Sequence, residues 1–143
     1  MTEKEIKSLF RSIRAMRNIV NTHQRQIREL TALAQSISSP QISGMPHAPG
    51  VHDKLGETVA RIDELERKLN DIVVAYTDKL HTAYELIELA DDIDGKNIIA
   101  LHWINGMPWD FIPSEINTDR RTMFRHYHRA ISEIVSKTNI DTE

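Results

Sequence analysis

The chain has 143 residues, of which 40% are hydrophobic and 27% charged, and it contains no cysteine. This length predicts one domain or two small modules, and this composition predicts a folded core. The lack of cysteine excludes disulfides, thiolate zinc sites, iron–sulfur clusters and cysteine nucleophiles. No apolar run approaches the roughly 18–20 residues that span a bilayer. We therefore expect a soluble, cytoplasmic protein with no membrane partner.

Glycine and proline are scarce, with five of each, and most of them fall between positions 40 and 56. The β-branched residues follow helical spacing and show no two-residue alternation. The sequence therefore predicts an all-α fold. A long helical hairpin or coiled coil over 1–93, with a loop at 38–52, forms an assembly region. A trihelical helix-turn-helix module over 94–136 follows, and 137–143 form a tail.

Charge is unevenly distributed along the chain. Residues 1–34 carry seven Lys or Arg against three Asp or Glu, whereas residues 53–95 carry five against twelve. The formal net charge of −3 therefore conceals a basic first tract. Because nucleic acid is bound by a local basic surface, the acidic total does not exclude DNA as a partner.

The first tract places apolar residues three and four positions apart without interruption, which is the pattern of a heptad seam. It predicts a helix over 6–37. His23 is the polar member of this seam, and we interpret it as a half-buried side chain at a helix crossing. The seam comprises Ile6, Leu9, Ile13, Met16, Val20, His23, Ile27, Leu30, Ala34 and Ile37.

Residues 36–53 contain three prolines and two glycines, which end the first helix and predict an interhelical loop. His47 and His52 suggest a metal site. Asp53 is the nearby carboxylate and no thiolate exists, so we expect no metal there.

The second tract, 53–92, carries an apolar stripe that is broader than a heptad seam, so this helix should contact more than one element. Asp53 is its expected N-cap. The basic first helix and this acidic one can pair within one chain, and an intermolecular coiled coil is equally allowed. The broad stripe favours a homodimer through the N-terminal helices. It comprises Leu55, Val59, Ile62, Leu65, Leu69, Ile72, Val73, Tyr76, Leu80, Ala83, Leu86, Ile87 and Ala90.

Residues 94–136 predict three shorter helices. Asp94 is placed to cap the first, which should end at Gly106. The second should follow Pro108, since proline suits a first helical turn. Asp119 is placed to cap the third, which runs from 120 to about 136.

The third helix separates an apolar from a cationic face. At 100° per residue, the apolar face holds Met123, Phe124, Tyr127, Ala130, Ile131 and Ile134. The other side has four arginines and two histidines, with no acidic residue between positions 120 and 132. Three short helices with such a face predict a helix-turn-helix that binds double-stranded DNA.

The candidate DNA-binding residues lie on this cationic face, except Arg120, which sits in the first turn and can still reach outward. Guanidinium groups bind phosphates and the edges of guanine bases, so we expect Arg121 and Arg125 to reach bases and Arg129 to reach phosphate. The full set is Arg120, Arg121, Thr122, Arg125, His128 and Arg129.

This C-terminal segment resembles that of phage late-transcription regulators of the ArpU/RinA type, from Gram-positive hosts, whose C-terminal part is similar to sigma-factor region four. The resemblance implies double-stranded DNA binding, contact with RNA polymerase and an N-terminal helical part for assembly. It extends to the tripeptide Gly44-Met45-Pro46. The residues that carry it are Leu101, Trp103, Ile104, Gly106, Trp109, Asp110, Arg121, Arg125, Arg129, Ala130 and Ile131.

Two positions depart from the family pattern. Pro113 replaces a small residue inside the second short helix, which predicts a kink or a delayed helix start. Met107 replaces the Ser or Thr that often caps that helix.

Catalytic patterns are absent from the sequence: it has no Gly-rich phosphate loop, no His-Glu-x-x-His and no Gly-x-Ser-x-Gly. We expect no enzyme and no cofactor. Asp91, Asp92 and Asp94 are interpreted as a solvated helix end. His126 and His128 lie about 200° apart on a helix and cannot chelate one ion.

Two other functions stay open. A small terminase-like DNA-packaging adaptor also joins a helix-turn-helix to a helical oligomerisation region, although its DNA module typically comes first. A structural coiled-coil protein without DNA binding would carry the basic face as an ordinary solvated surface.

Overall fold

The structure, a computed structural model, describes residues 1–38 and 51–140. Every regular element in these ranges is helical, which confirms the all-α prediction. His47 and most of the predicted loop lie outside the described residues. The elements are α1 (Glu3–Ser38), α2 (Val51–Glu88), α3 (Ile93–Ile99), a π-helical segment (Ala100–Ile104), a 3-10 turn (Trp109–Phe111), α4 (Ile112–Glu115) and α5 (Arg120–Ile140).

The chain divides into two compact units. One, here called the hairpin unit, is Asn18–Ala75. The other, the trihelical unit, combines Met1–Arg17 with the residues from Tyr76 onward. The boundary that the sequence suggested near residue 93 falls inside the trihelical unit, because the first turns of α1 and the last turns of α2 belong to it.

The hairpin unit consists of α1 and α2 packed side by side. Leu30 and Leu65 line one shallow groove between them, and Ile27 and Leu69 line another. Residue numbers thus rise along α1 as they fall along α2, so the two helices are antiparallel in this unit. Within one chain, the tracts form the hairpin that the sequence allowed.

The seam of α1 is confirmed, since all of its members are buried or half-buried. His23 is half-buried as interpreted, and its Nδ1 donates a hydrogen bond to the Ile19 carbonyl over 3.0 Å. The broad stripe of α2 is only partly buried: Val59 is 46% exposed and Val73 is 37% exposed. The expectation that these two residues are covered is wrong for a single chain.

The starts of two helices differ from the expected ones. Because α2 begins at Val51, Asp53 lies in its first turn and is not its N-cap. The N-cap of α3 is Asp92, whose Oδ1 accepts a hydrogen bond from the Gly95 N–H over 2.9 Å, and not Asp94. Asp92 has the extended backbone that an N-cap requires, with φ −71° and ψ 105°.

Gly106 ends the first short helix, as predicted. Its φ of +77° lies in the left-handed region, which glycine adopts without strain. The preceding turn is wider than an α-helix, since the Asn105 N–H bonds to the Ala100 carbonyl over 2.9 Å. The Arg17 guanidinium donates to the Asn105 carbonyl and so satisfies a group at the helix end.

Pro113 delays the start of the second short helix. The segment opens as a 3-10 turn and becomes α-helical only at Ile112, which places Pro113 in the first turn of α4. Asn117, with φ 52°, then ends α4, and the Thr118 N–H bonds to the Pro113 carbonyl over 2.9 Å. This is the Schellman arrangement of a helix C-terminus.

Asp119 caps α5 as predicted, accepting a hydrogen bond from the Thr122 N–H over 2.6 Å. The helix continues to Ile140 and does not end near 136, so residues 137–140 are not a tail. Contacts of this last turn explain the difference. Lys137 pairs with Asp91 over 2.8 Å, and the N-terminal ammonium donates to Asn139 Oδ1 over 3.0 Å.

Candidate nucleic-acid interface

The position of α5 is set by its close crossing with α3. A Cβ on Gly95 would lie 2.5 Å from the Ala130 Cβ and 2.6 Å from the His126 carbonyl oxygen. Only glycine allows this approach, and the small Ala130 side chain provides the opposite surface. The crossing turns one side of α5 inward and leaves its other side open.

The inward side of α5 is the predicted apolar face. Met123, Tyr127, Ala130, Ile131 and Ile134 are buried, and Phe124 is half-buried. Aromatic contacts hold it against the preceding helices. The Trp103 indole N–H donates to the Tyr127 hydroxyl over 3.3 Å, and Trp109 packs edge-on against Tyr127 with ring centroids 4.9 Å apart. Such pairs add to the hydrophobic contribution of ring burial.

Arg121 and Arg125 are exposed on the outward side of α5, and neither forms an ion pair with another residue in the described ranges. They lie four positions apart, so their side chains project from successive turns on one side of the helix. These two guanidinium groups are therefore available to bind an anion.

Two of the predicted DNA-binding arginines have partners in this structure. Arg120 pairs with Asp110 over 2.5 Å, and its guanidinium lies 5.2 Å from the centre of the Phe124 ring. Arg129 lies 3.5 Å from the Asp92 carboxylate. Both arginines remain exposed, and the exposed pair of Arg120 with Asp110 contributes about 0–1 kcal/mol, whereas the Asp92 side chain is only 7% exposed. A phosphate can therefore replace Asp110 at little cost, and Asp92 keeps its hydrogen bonds from His126 and Gly95 when Arg129 turns to a phosphate.

Thr122 does not offer its backbone N–H to a ligand. Its N–H and its hydroxyl both bond to Asp119, and with the charges of Arg125 and Arg121 they lower the pKa of that carboxyl. The predicted DNA-binding residue Thr122 therefore has its backbone N–H occupied by the N-cap. A negative charge stands at the helix N-terminus, beside the two available arginines.

His128 is exposed and stacks on Phe124, with ring centroids 6.1 Å apart. It lies on the flank of α5 that also carries Arg121 and Arg125, seven positions after the first and three after the second. The imidazole can therefore donate a hydrogen bond to a ligand bound along this flank.

Asp92, Asp94 and His126 bring potential ligand atoms within 4.8 Å of one another. Burial opposes ionisation of Asp92, but hydrogen bonds from His126 and Gly95, with the charge of Arg129, lower its pKa. His126 Nδ1 lies 2.8 Å from Asp92 Oδ2. Since both Asp92 oxygens accept hydrogen bonds and a guanidinium lies beside them, the cluster acts as a cap and ion-pair network joining α3 to α5.

Sequence reasoning missed the part that α1 plays in the trihelical unit. Phe10 is fully buried and stacks on Trp103 at a centroid distance of 6.3 Å, although it lies outside the heptad seam. Lys4, Lys7 and Arg11 line one groove of this unit. The excess of Lys and Arg in residues 1–34 was the signal for such a groove, because a buried apolar seam does not use these side chains.

Comparisons with protein-family models, with curated proteins and with solved structures find no match. Within the described ranges, no helix has both the length and the apolar character needed to cross a membrane. The trihelical unit thus combines a short helix, α3, with α4 and with α5, which presents Arg121 and Arg125 outward.

Proposed function

We propose that this protein is a sequence-specific, double-stranded DNA-binding transcriptional regulator whose α5 enters the major groove. The observation that carries the proposal is the exposure of Arg121 and Arg125 without ion-pair partners among the described residues. Arginine binds guanine O6 and N7 with two hydrogen bonds, which is the commonest specific contact in that groove.

The dimensions of α5 suit this role. Arg121 and Arg125 are about 6 Å apart along the helix axis, at 1.5 Å per residue. The groove is about 12 Å wide and admits an α-helix. Arg120 and Arg129 flank this pair and, by exchanging their carboxylate partners for phosphates, would fix the orientation of α5 on the duplex.

We further propose that the regulated genes are late phage genes and that the protein contacts RNA polymerase in the cytoplasm, as the resemblance to regulators of the ArpU/RinA type implies. The residues that carry the resemblance include those that build this module. Trp103 is buried, Gly106 adopts a positive φ, and Trp109 packs against Tyr127.

The hairpin unit supports homodimerisation as part of the same proposal. Val74 is 63% exposed and Leu33 is 51% exposed, alongside the uncovered Val59 and Val73. A second copy would bury these apolar side chains, and a dimer would present two copies of α5 to a two-fold symmetric DNA site.

Selection of bound fragments from the genome that encodes the protein, read by sequencing, tests the proposed function. We expect enrichment of a short motif upstream of structural genes. Enrichment at a packaging site would instead identify a small terminase-like adaptor. Absence of any enriched fragment would overturn DNA recognition and favour a structural coiled-coil protein.

A further inference from the structure

The first turns of α1 carry a cationic groove that the proposed function does not use. Lys4, Lys7 and Arg11 line it together with Glu3. Lys7 pairs with Glu3 over 2.6 Å, whereas Lys4 and Arg11 are exposed and form no ion pair within the described part of the chain. Two cationic side chains in this groove are therefore uncompensated. Lys4, Lys7 and Arg11 are together called the α1 strip.

The α1 strip lies beside α5. The N-terminal ammonium of Met1 donates to Thr138 Oγ1 over 3.3 Å, which places the start of α1 at the end of α5. Two and a half turns further along α1, Phe10 stacks on Trp103, whose indole bonds to Tyr127 near the middle of α5. The first turns of α1 therefore run antiparallel to α5.

Electrostatics agrees with this placement. Burial raises the pKa of Tyr127, while the charges of Lys7 and Arg11 act on the same hydroxyl in the opposite direction. Lys7 lowers the pKa of Glu3 by hydrogen bond and charge, and His128 on α5 contributes a smaller lowering. Charged residues at the start of α1 thus act on residues 127 and 128 of α5, in agreement with the hydrogen bond from Met1 and the stacking of Phe10.

We propose that the α1 strip binds the phosphate backbone of the same duplex whose major groove receives α5. This inference rests on the proposed function. It assigns to α1 a DNA contact in addition to its place in the hairpin, with the backbone of one strand as the partner of Lys4 and Arg11.

The geometry of a duplex favours this partner. Packed helices have axes about 8–10 Å apart, and the major groove is about 12 Å wide with a phosphate strand along each edge. When α5 occupies the groove, a helix packed beside α5 lies near one of these edges. Uncompensated Lys and Arg side chains there would displace counterions from the phosphates, which strengthens binding without reading sequence.

The double variant Lys4→Ala/Arg11→Ala tests the proposal in the full-length chain. We expect the slope of log binding constant against log salt concentration to become shallower by about 2, since each lost phosphate contact lowers it by about 1. The ratio of affinities for specific and random duplexes should stay unchanged. The matched control is Arg25→Ala/Arg28→Ala, which removes the same charge from α1 within the hairpin unit and should leave the slope unchanged.

A gain-of-binding variant provides a second readout that misfolding cannot mimic. Glu3→Gln removes the partner of Lys7, so a third cation becomes available to phosphate. We expect tighter binding to both specific and random duplexes and a slope steeper by up to about 1. Unchanged binding by Glu3→Gln, with unchanged slope for Lys4→Ala/Arg11→Ala, would overturn the proposal.

The outcomes separate this inference from the function on which it rests. If the wild-type protein discriminates a specific duplex but both α1 variants behave like the control, only the role of the α1 strip is wrong. If the wild-type protein binds no duplex at any salt concentration, the proposed function is wrong and the α1 strip loses its assigned partner with it. Circular dichroism of each variant verifies that helical content is retained.

Discussion

The guanidinium of Arg14 on α1 lies 3.2 Å from Nε2 of His102, which comes 88 positions later in the chain. The other ring nitrogen, Nδ1, lies 2.8 Å from the Met107 carbonyl. A guanidinium only donates and a carbonyl only accepts, so Nδ1 carries the proton and Nε2 accepts. His102 is therefore neutral, and it joins α1 to the turn that precedes α4.

A first prediction concerns the pH dependence of stability. Burial lowers the pKa of His102 below its ordinary 6.5, although the Met107 bond acts in the opposite direction. As the pH falls below about 6.5, the unfolded chain binds a proton that the folded chain resists, so the free energy of unfolding decreases. Urea titrations between about pH 7 and pH 5 should show this decrease.

The variant His102→Gln is the control, because glutamine does not titrate. It should remove the part of the decrease that occurs between about pH 7 and pH 5. The pKa values of Asp92 and Asp119 are lowered in the folded chain. These carboxylates therefore lose their contribution to the free energy of unfolding only as the pH falls below their ordinary pKa of 3.8. An identical pH profile for the variant and the parent would contradict the assignment.

A second prediction compares two glycines in helices. Gly95→Ala should destabilise the protein by about 1–3 kcal/mol, because a Cβ there overlaps Ala130 and the His126 carbonyl. Gly56→Ala has nothing within 4 Å of the new Cβ. It should stabilise the chain by about 0.5–1 kcal/mol, since alanine favours a helix interior. Thermal unfolding measures both, and a neutral Gly95→Ala would refute the close crossing.

A third prediction concerns the charge at the start of α5. Asparagine caps helices as well as aspartate, so Asp119→Asn should leave the midpoint of thermal unfolding nearly unchanged. It removes the negative charge beside Arg121 and Arg125, and affinity for duplex DNA should rise several-fold. Fluorescence anisotropy measures the change, with the exposed Glu57→Gln as a control of equal charge. Weaker binding would mean that Asp119 itself makes a favourable DNA contact.

A fourth prediction concerns assembly. If a second copy covers the exposed apolar side chains of the hairpin unit, Val74→Glu should convert a dimer to a monomer without loss of helical content. Val74 is already 63% exposed, so the change costs the single chain little. Ala75→Glu adds the same charge at an exposed position about 200° around α2 from Val73, and it should leave the dimer intact. Light scattering would contradict the proposal if Val74→Glu and the parent had equal mass.

Local patterns were sufficient to predict α5. Its apolar face follows from the 100° rotation between residues, and Asp119 is a strong N-cap whatever the surroundings. The exposure of Arg121 and Arg125 follows from the same rotation, since both lie opposite Tyr127. The effect of Pro113 also follows locally, because a proline without an N–H suits a first turn.

Contacts distant in sequence were not predictable in this way. The heptad pattern of α1 shows which side is buried but not which element covers it, so the stacking of Phe10 on Trp103 was missed. The sequence placed Asp94 as the cap of α3, whereas the structure has Asp92 in that position. Tertiary bonds decide between them, because Glu133 of α5 accepts the Asp92 N–H over 3.2 Å and His126 bonds to the Asp92 carboxylate.

We propose that Arg121 and Arg125, on the outward side of α5, read the duplex. The test is to measure how tightly Arg121→Ala/Arg125→Ala binds the motif recovered by genomic selection and how tightly it binds a random duplex. Each bidentate contact with guanine discriminates by about 1–3 kcal/mol. The ratio of the two affinities should therefore fall by at least about 30-fold, with circular dichroism unchanged and with Arg25→Ala/Arg28→Ala behaving like the parent. A double variant that prefers the motif as strongly as the parent would contradict the claim.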